Sequence, residues 1–180
     1  MRPAVFLDRD GVINENRPDY VKSWEEFRFL PKALEALKQL STVSRPVVIV
    51  TNQSAVGRGI ITLERLTHIH NQMERAVTAA GGRIDALYVC PHPPNAGCNC
   101  RKPAPGLLLR AADDLNIDLT ASVFVGDSLS DVTAAHTAGV HPILVRSGKN
   151  RVCLGKPEAQ ALIDGCPVVN DLTAAVASIL

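Results

Sequence analysis

Aromatic residues are scarce: one Trp, two Tyr and four Phe stand among 180 residues. A core with so few rings must be filled by Leu, Ile, Val and Ala. A surplus of one charge is missing too. Nineteen Lys and Arg face eighteen Asp and Glu, a formal charge of +1. That balance argues against a broad nucleic-acid or membrane footprint but leaves room for a small basic site. No apolar run approaches the roughly 20 residues of a membrane span, and "MRPAVFLDRD" is too short an apolar start for a signal peptide. No G-x4-G-K-[ST] loop occurs, and "GRGIIT" (57–62) falls short of a dinucleotide fingerprint, which disfavours a nucleotide kinase or a dehydrogenase. No repeat, low-complexity stretch or linker divides the chain. The expectation is one domain over 1–180, placed in the cytosol, with monomer as the default.

What is present is an alternation. Short β-branched runs at 4–7, 46–51, 86–90, 122–127 and 142–145 read as strands, with "VV" (168–169) as a sixth candidate. Most lack polar alternation, as strands covered on both faces do. Helical patterns lie between them: 33–40, 62–80, 105–115, 131–138 and the C-terminal "DLTAAVASIL". In the longest, Leu63, Leu66, Ile69, Met73, Val77 and Ala80 recur at spacings of three and four, with Thr62 as N-cap and Gly81 just past the end. Strand–helix alternation predicts an α/β fold, a central parallel sheet between helical layers. Ligands bind beyond the carboxyl ends of such strands.

The strand ends carry the chemistry. "FLDRDGV" (6–12) runs an apolar strand into Asp8 and Asp10, and "VIVTN" ends in Thr51 and Asn52. "VFVGDSLSD" presents Asp127 and then Asp131, and Lys102 stands in a loop. Strand alternation lets Asp8 and Asp10 face one way while Arg9 points opposite. Two carboxylates so placed could hold a divalent cation, or divide nucleophilic attack and proton transfer between them. A capped turn accounts for "DRDG" alone equally well, and Asp131 could simply be a first-turn acid favoured by the helix dipole. Together, three carboxylates suit magnesium, and Thr51 with Lys102 suits the oxygens of a transferring phosphoryl group.

"DRDG" (8–11), "TNQS" (51–54), Lys102 and "GDSLSD" (126–131) resemble, in order, the four motifs of the haloacid dehalogenase superfamily of phosphatases. The resemblance spans essentially the whole chain. It implies a three-layer Rossmann-like sandwich with strand 1 central and strand order 5-4-1-2-3. It also implies Asp8 as nucleophile through an aspartyl-phosphate, and Asp10 as acid to the leaving alcohol and then base to water. Magnesium would lie between the Asp8 carboxylate, the Asp10 backbone carbonyl and Asp127. Thr51 and Lys102 would hold the phosphoryl oxygens.

Three of the five cysteines crowd into residues 90–100. Cys90, His92, Cys98 and Cys100 form a C-x-H-x5-C-x-C set, a closed donor set for structural zinc. A zinc loop at 90–101 would fix where Arg101 and Lys102 point. Unligated thiols are the alternative. Cys153 and Cys166 read as packing or surface residues, and the remaining histidines are assigned nothing.

The zinc loop, "TNQS" and "CRKP" together resemble the heptose-bisphosphate phosphatases and the related histidinol-phosphate phosphatases. No large cap domain is inserted. "NENRPDYV" (14–21) resembles the substrate-contacting stretch of the heptose group, which brings Asn16, Asp19 and Tyr20 into the candidate site beside Asn52, Gln53, Ser54 and Arg101. Arg101 suits a retained second phosphate, because its fork binds two oxygens at once. "NQSAVGR" (52–58) departs from the "NQSGxAR" usual in the heptose group, with alanine at 55 and glycine at 57. The spacer between His92 and Cys98 is also short. The expected activity is removal of one phosphate from a phosphorylated sugar, for the bacterial cell surface. Histidinol phosphate hydrolysis and a non-catalytic zinc-stabilised binding module stand as the alternatives.

Overall fold

The computed structural model describes residues 1–148 and 161–180. Cys153 lies outside them. Six strands, β1 (Val5–Leu7), β2 (Val47–Asn52), β3 (Ala86–Cys90), β4 (Val123–Gly126), β5 (His141–Val145) and β6 (Val168–Val169), form one parallel sheet in the order β3-β2-β1-β4-β5-β6. Strand 1 is central, as expected, and the "VV" pair is a real edge strand.

Alternation along the strands divides the core into two. Val5, Leu7, Val47, Ile49 and Val125 point to one face. There they pack on α1 (Ala33–Leu40), α3 (Leu63–Ala79) and the C-terminal α6 (Leu172–Ile179) through Leu37, Leu40, Ile69, Met73, Val77 and Val176. Phe6, Val48, Val50 and Phe124 point to the other face and meet α4 (Gly106–Leu115) and α5 (Leu129–Ala138) through Leu107, Leu108, Ala111, Ala134 and Ala135. A sheet buried on both sides has no polar face to show, hence the continuous apolar runs.

Helix boundaries fall close to the sequence reading. Thr62 caps α3 by accepting a hydrogen bond from the Arg65 amide at 3.1 Å. Such a cap is worth about 1 kcal/mol. Gly81 follows at φ 84°, a conformation glycine adopts without strain. α5 starts two residues earlier than expected, with Ser128 as its N-cap and Asp131 in its first turn. The short α2 (Ser54–Gly57) was not anticipated. Three of the scarce aromatics, Trp24, Phe27 and Phe29, gather in one segment, with Trp24 stacked on Phe27 and Phe29 edge-on to both. No helix among the described residues is long and apolar enough to cross a membrane.

Candidate active site

Parallel register brings the strand ends to one edge. β1 pairs Val5–Leu7 with Val47–Ile49 on one side and with Val123–Val125 on the other. The Asp8 amide extends the ladder by donating to the Val125 carbonyl at 2.9 Å. A cavity of about 310 Å³ opens there, lined by Asp8, Asp10, Gln53, Arg101, Lys102 and Asp127 among others.

Asp8 is buried, and its Oδ1 accepts from the Arg9 amide at 2.7 Å and lies 3.0 Å from Lys102 Nζ. Burial pushes its carboxyl up to about 7; the charges of Asp131, Asp127 and Asp10 add to the rise and Lys102 opposes it. Lys102 is itself buried. Its Nζ lies 2.7 Å from Asp131 Oδ1, donates to the Val50 carbonyl at 3.0 Å and sits 5.3 Å from the centre of the Phe124 ring. Burial would lower the Lys102 pKa, but the charges of Asp131 and Asp8 outweigh it and hold the ammonium charged.

The second aspartate lives differently. Asp10 accepts two hydrogen bonds from Arg9 Nη2, at 2.9 and 3.0 Å, one from Asn14 Nδ2 at 2.8 Å and one from Gln53 Nε2 at 2.6 Å. Burial alone would raise its pKa, yet the Arg9 charge and these bonds hold it below the usual carboxylate range. Here the structure corrects the strand-alternation reading. β1 ends at Leu7, the chain turns, and the Arg9 guanidinium grips Asp10 instead of pointing away.

Asp131 is more than a first-turn acid. It completes a capping box with Ser128, and its Oδ2 accepts from the Asp127 and Ser128 amides at 3.1 and 2.9 Å while Oδ1 meets Lys102. One side chain therefore fixes the helix start, the Asp127 backbone and the lysine.

Beside the cavity, Cys90, His92, Cys98 and Cys100 converge. The sulfur separations are 3.2 Å (Cys90–Cys100), 3.5 Å (Cys98–Cys100) and 3.7 Å (Cys90–Cys98). His92 Nδ1 lies 3.3 Å from Cys100 and 3.6 Å from Cys90. Tetrahedral zinc with bonds of about 2.3 Å separates its sulfurs by roughly 3.8 Å, so the cluster fits such an ion.

A family model described as HAD-hydrolase-like matches residues 99–175. The D-glycero-β-D-manno-heptose-1,7-bisphosphate 7-phosphatase of Pseudomonas aeruginosa is 38% identical over 179 residues, covering 99% of this chain and 98% of its own. That of Bordetella bronchiseptica is 41% identical over 176 residues, covering 98% and 97%. The chain belongs to this family of HAD-like hydrolases. The crystal structure of the B. bronchiseptica D,D-heptose 1,7-bisphosphate phosphatase, complexed with magnesium and phosphate, superposes with a TM-score of 0.90 at 40% identity, covering 99% of this chain and 98% of that one. The Burkholderia thailandensis enzyme gives 0.74 at 35% identity, covering 99% and 98%.

Within this phosphatase family, the donor set can be tested for magnesium. Oxygens of Asp8, Asp127 and Asp131 lie within 4.8 Å of one another. A Cβ on Gly11 would stand 2.2 Å from Asp127 Oδ2 and one on Gly148 only 1.9 Å, so two glycine backbones cradle that carboxylate. Hard oxygen donors in a tight cradle fit magnesium. Both Asp131 oxygens are committed, Oδ1 to Lys102 and Oδ2 to the Asp127 and Ser128 amides, whereas only Oδ1 of Asp8 meets Lys102, so Asp8 and Asp127 are the carboxylates that could hold the ion. The Asp10 carboxylate is taken up by Arg9, Asn14 and Gln53.

Most other expected residues line the cavity: Asn16, Tyr20, Asn52, Gln53, Ser54 and Arg101. Asn16 Nδ2 donates to Asp127 Oδ2 at 2.8 Å. Two do not line it. Thr51 is buried beneath Gln53, whose Nε2 it accepts at 3.0 Å. Asp19 turns outward to Arg17 and Lys22. Sequence reasoning missed Asn14, Arg17 and Arg58; the two arginines add positive charge to the cavity wall.

Proposed function

We propose that the chain removes the 7-phosphate of D-glycero-D-manno-heptose 1,7-bisphosphate by way of an aspartyl-phosphate on Asp8. One observation carries the reading: Asp8, Asp127 and Lys102 leave three different segments and meet within one cavity. An Asp8 carboxylate oxygen attacks phosphorus, and the bond to the sugar oxygen breaks. Asp10 gives its proton to the departing alkoxide. Its donors favour the carboxylate form, so it releases that proton readily, and the incoming phosphate oxygens favour its protonation beforehand. Asp10 then takes a proton from water. The resulting hydroxide attacks phosphorus, phosphate departs and Asp8 is regenerated. Lys102 offsets charge on the phosphoryl oxygens throughout. Asp8, Asp127 and the Asp10 carbonyl would hold magnesium, which would supply further neutralisation of that charge. Thr51 anchors Gln53, which reaches Asp10.

Arg101, Arg17 and Arg58 suit the phosphate that is kept. A bisphosphate uses several cations more fully than histidinol phosphate does. Cys90, His92, Cys98 and Cys100 would hold zinc, which would fix the loop that carries Arg101. The binding-module alternative does not survive, because the family is enzymatic and its charged machinery is intact. Asp8→Asn should abolish magnesium-dependent phosphate release. Comparing kcat/KM for the heptose bisphosphate and for histidinol phosphate tests the substrate: the bisphosphate should win, and a preference for histidinol phosphate would overturn the choice.

A further inference from the structure

Beneath Asp10 lies a second layer that the reaction as described does not use. Arg9 is 1% exposed, and its two terminal nitrogens point to different places. Nη2 grips both Asp10 oxygens, and Nη1 lies 2.9 Å from His70 Nε2. Its Nε finds no hydrogen-bond partner among the described residues. The guanidinium stands over the Phe27 ring, 5.9 Å from its centre, and Phe27 is fixed by Trp24 and Phe29. Arginine can only donate, so Nε2 must be the acceptor and the imidazole proton must sit on Nδ1. His70 comes from α3, where it is 6% exposed beside the core residues Ile69 and Met73. Burial, then the nearby Arg9 charge, lowers its pKa to about 3, which agrees with a neutral ring.

We propose that His70 is a positioning residue: it aims Arg9, and Arg9 fixes the direction in which the Asp10 carboxylate meets the leaving group. The inference rests on the reading of Asp10 as acid and base. A planar guanidinium that forks onto a carboxylate sets its plane as well as its distance. A fork held only at Asp10 could swing with that side chain. The contact from α3 ties the fork to the sheet's helical layer and makes the direction a property of the fold. The aromatic floor of Phe27 keeps the guanidinium from tilting.

The test varies how much the reaction needs a proton. An alkyl ester, the heptose bisphosphate, leaves as an alkoxide that must be protonated. p-Nitrophenyl phosphate leaves as a stable anion and needs the acid far less. A positioned acid contributes about 10²–10⁴-fold, and its misdirection should cost part of that. His70→Leu removes the acceptor; His70→Gln retains one at similar reach. For His70→Leu, kcat/KM on the alkyl ester should fall about tenfold, with a clearly smaller loss on the aryl ester. His70→Gln should recover most of the alkyl activity. Asp10→Asn serves as the reference and should show the same ester dependence more strongly. Equal losses on both esters in His70→Leu, or no loss, would overturn the positioning role while leaving Asp10 in place. If Asp10→Asn lacks the ester dependence, Asp10 is not the acid, and the inference falls with that reading.

Discussion

Gly11 holds a φ of 85° directly after the two aspartates. Any Cβ there would be strained by about 1–2 kcal/mol and would also collide with Asp127 Oδ2 and Asn16 Nδ2. Gly11→Ala should therefore displace a magnesium ligand and not the nucleophile. The magnesium concentration giving half-maximal activity should rise at least about tenfold, a shift worth about 1.4 kcal/mol, while saturating magnesium restores part of the rate. A variant with unchanged magnesium dependence would show that Asp127 does not depend on this contact. At this scale the sequence was informative where chemistry is rare. Asp8, Asp10 and Asp127 stood out because carboxylates at the ends of apolar strands demand a partner. Arg9 and His70 did not. Alternation assigned Arg9 to the far side, and a single histidine in a helix carries no signal until its neighbour across 61 positions is known. Asp19 misled for the opposite reason: it sits in the right segment, but Lys22 and Arg17 lie close enough in sequence to claim it first.

Between elements, the loop from Cys90 to Lys102 is pinned at both ends by different means. Lys102 has its own anchors. Its carbonyl accepts from Asn52 Nδ2 and its amide donates to Asn52 Oδ1, both at 3.1 Å, while its ammonium is held by Val50, Asp8 and Asp131. Arg101 has less: Nη1 donates to the carbonyl of His92, at 3.2 Å, inside the cysteine cluster itself. Loss of the metal should thus release Arg101 before Lys102. In Cys98→Ser, zinc content should drop well below one per chain. KM for the bisphosphate should rise about tenfold to a hundredfold, the worth of one charge-assisted contact of about 1.5–3 kcal/mol, with a smaller fall in kcat. A fall in kcat at constant KM would place the loop's influence on Lys102 instead. The glycine at 57 finds its reason in the same loop. Ala55 is fully buried, and a Cβ on Gly57 would come within 2.6 Å of the Pro91 carbonyl and of Pro93, while the Gly57 amide donates to Pro91 at 2.9 Å. α2 and the cysteine loop dock backbone to backbone there, a contact no periodicity could announce. Strands and long helices were legible because burial on one or two faces writes itself into the spacing of apolar residues.

Across the whole molecule, the buried histidine couples stability to pH in a direction that can be worked out. His70 binds a proton below about 3 when folded and below 6.5 when unfolded. Between these values the unfolded chain holds one more proton, so stability rises with pH, by at most about 1.4 kcal/mol per unit for a single site. Asp8 works the other way. Its carboxyl titrates at about 7 in the fold against 3.8 unfolded, so the folded chain holds the extra proton, and stability falls as pH rises from about 4 to about 7. The two slopes overlap from about 4 to 6.5 and oppose each other, so the native protein without added magnesium should show a shallow profile there. The difference between native protein and His70→Gln removes the Asp8 contribution, which both share. Urea midpoints measured from pH 4 to 8 should show native protein losing ground to the variant as pH falls below about 6.5, and a constant gap above it. A gap that stays constant throughout would mean that the folded imidazole takes up its proton as readily as the unfolded one. Below about 6.5 Nε2 could then not accept from Arg9, and the guanidinium would face a cation where α3 should hold it in place.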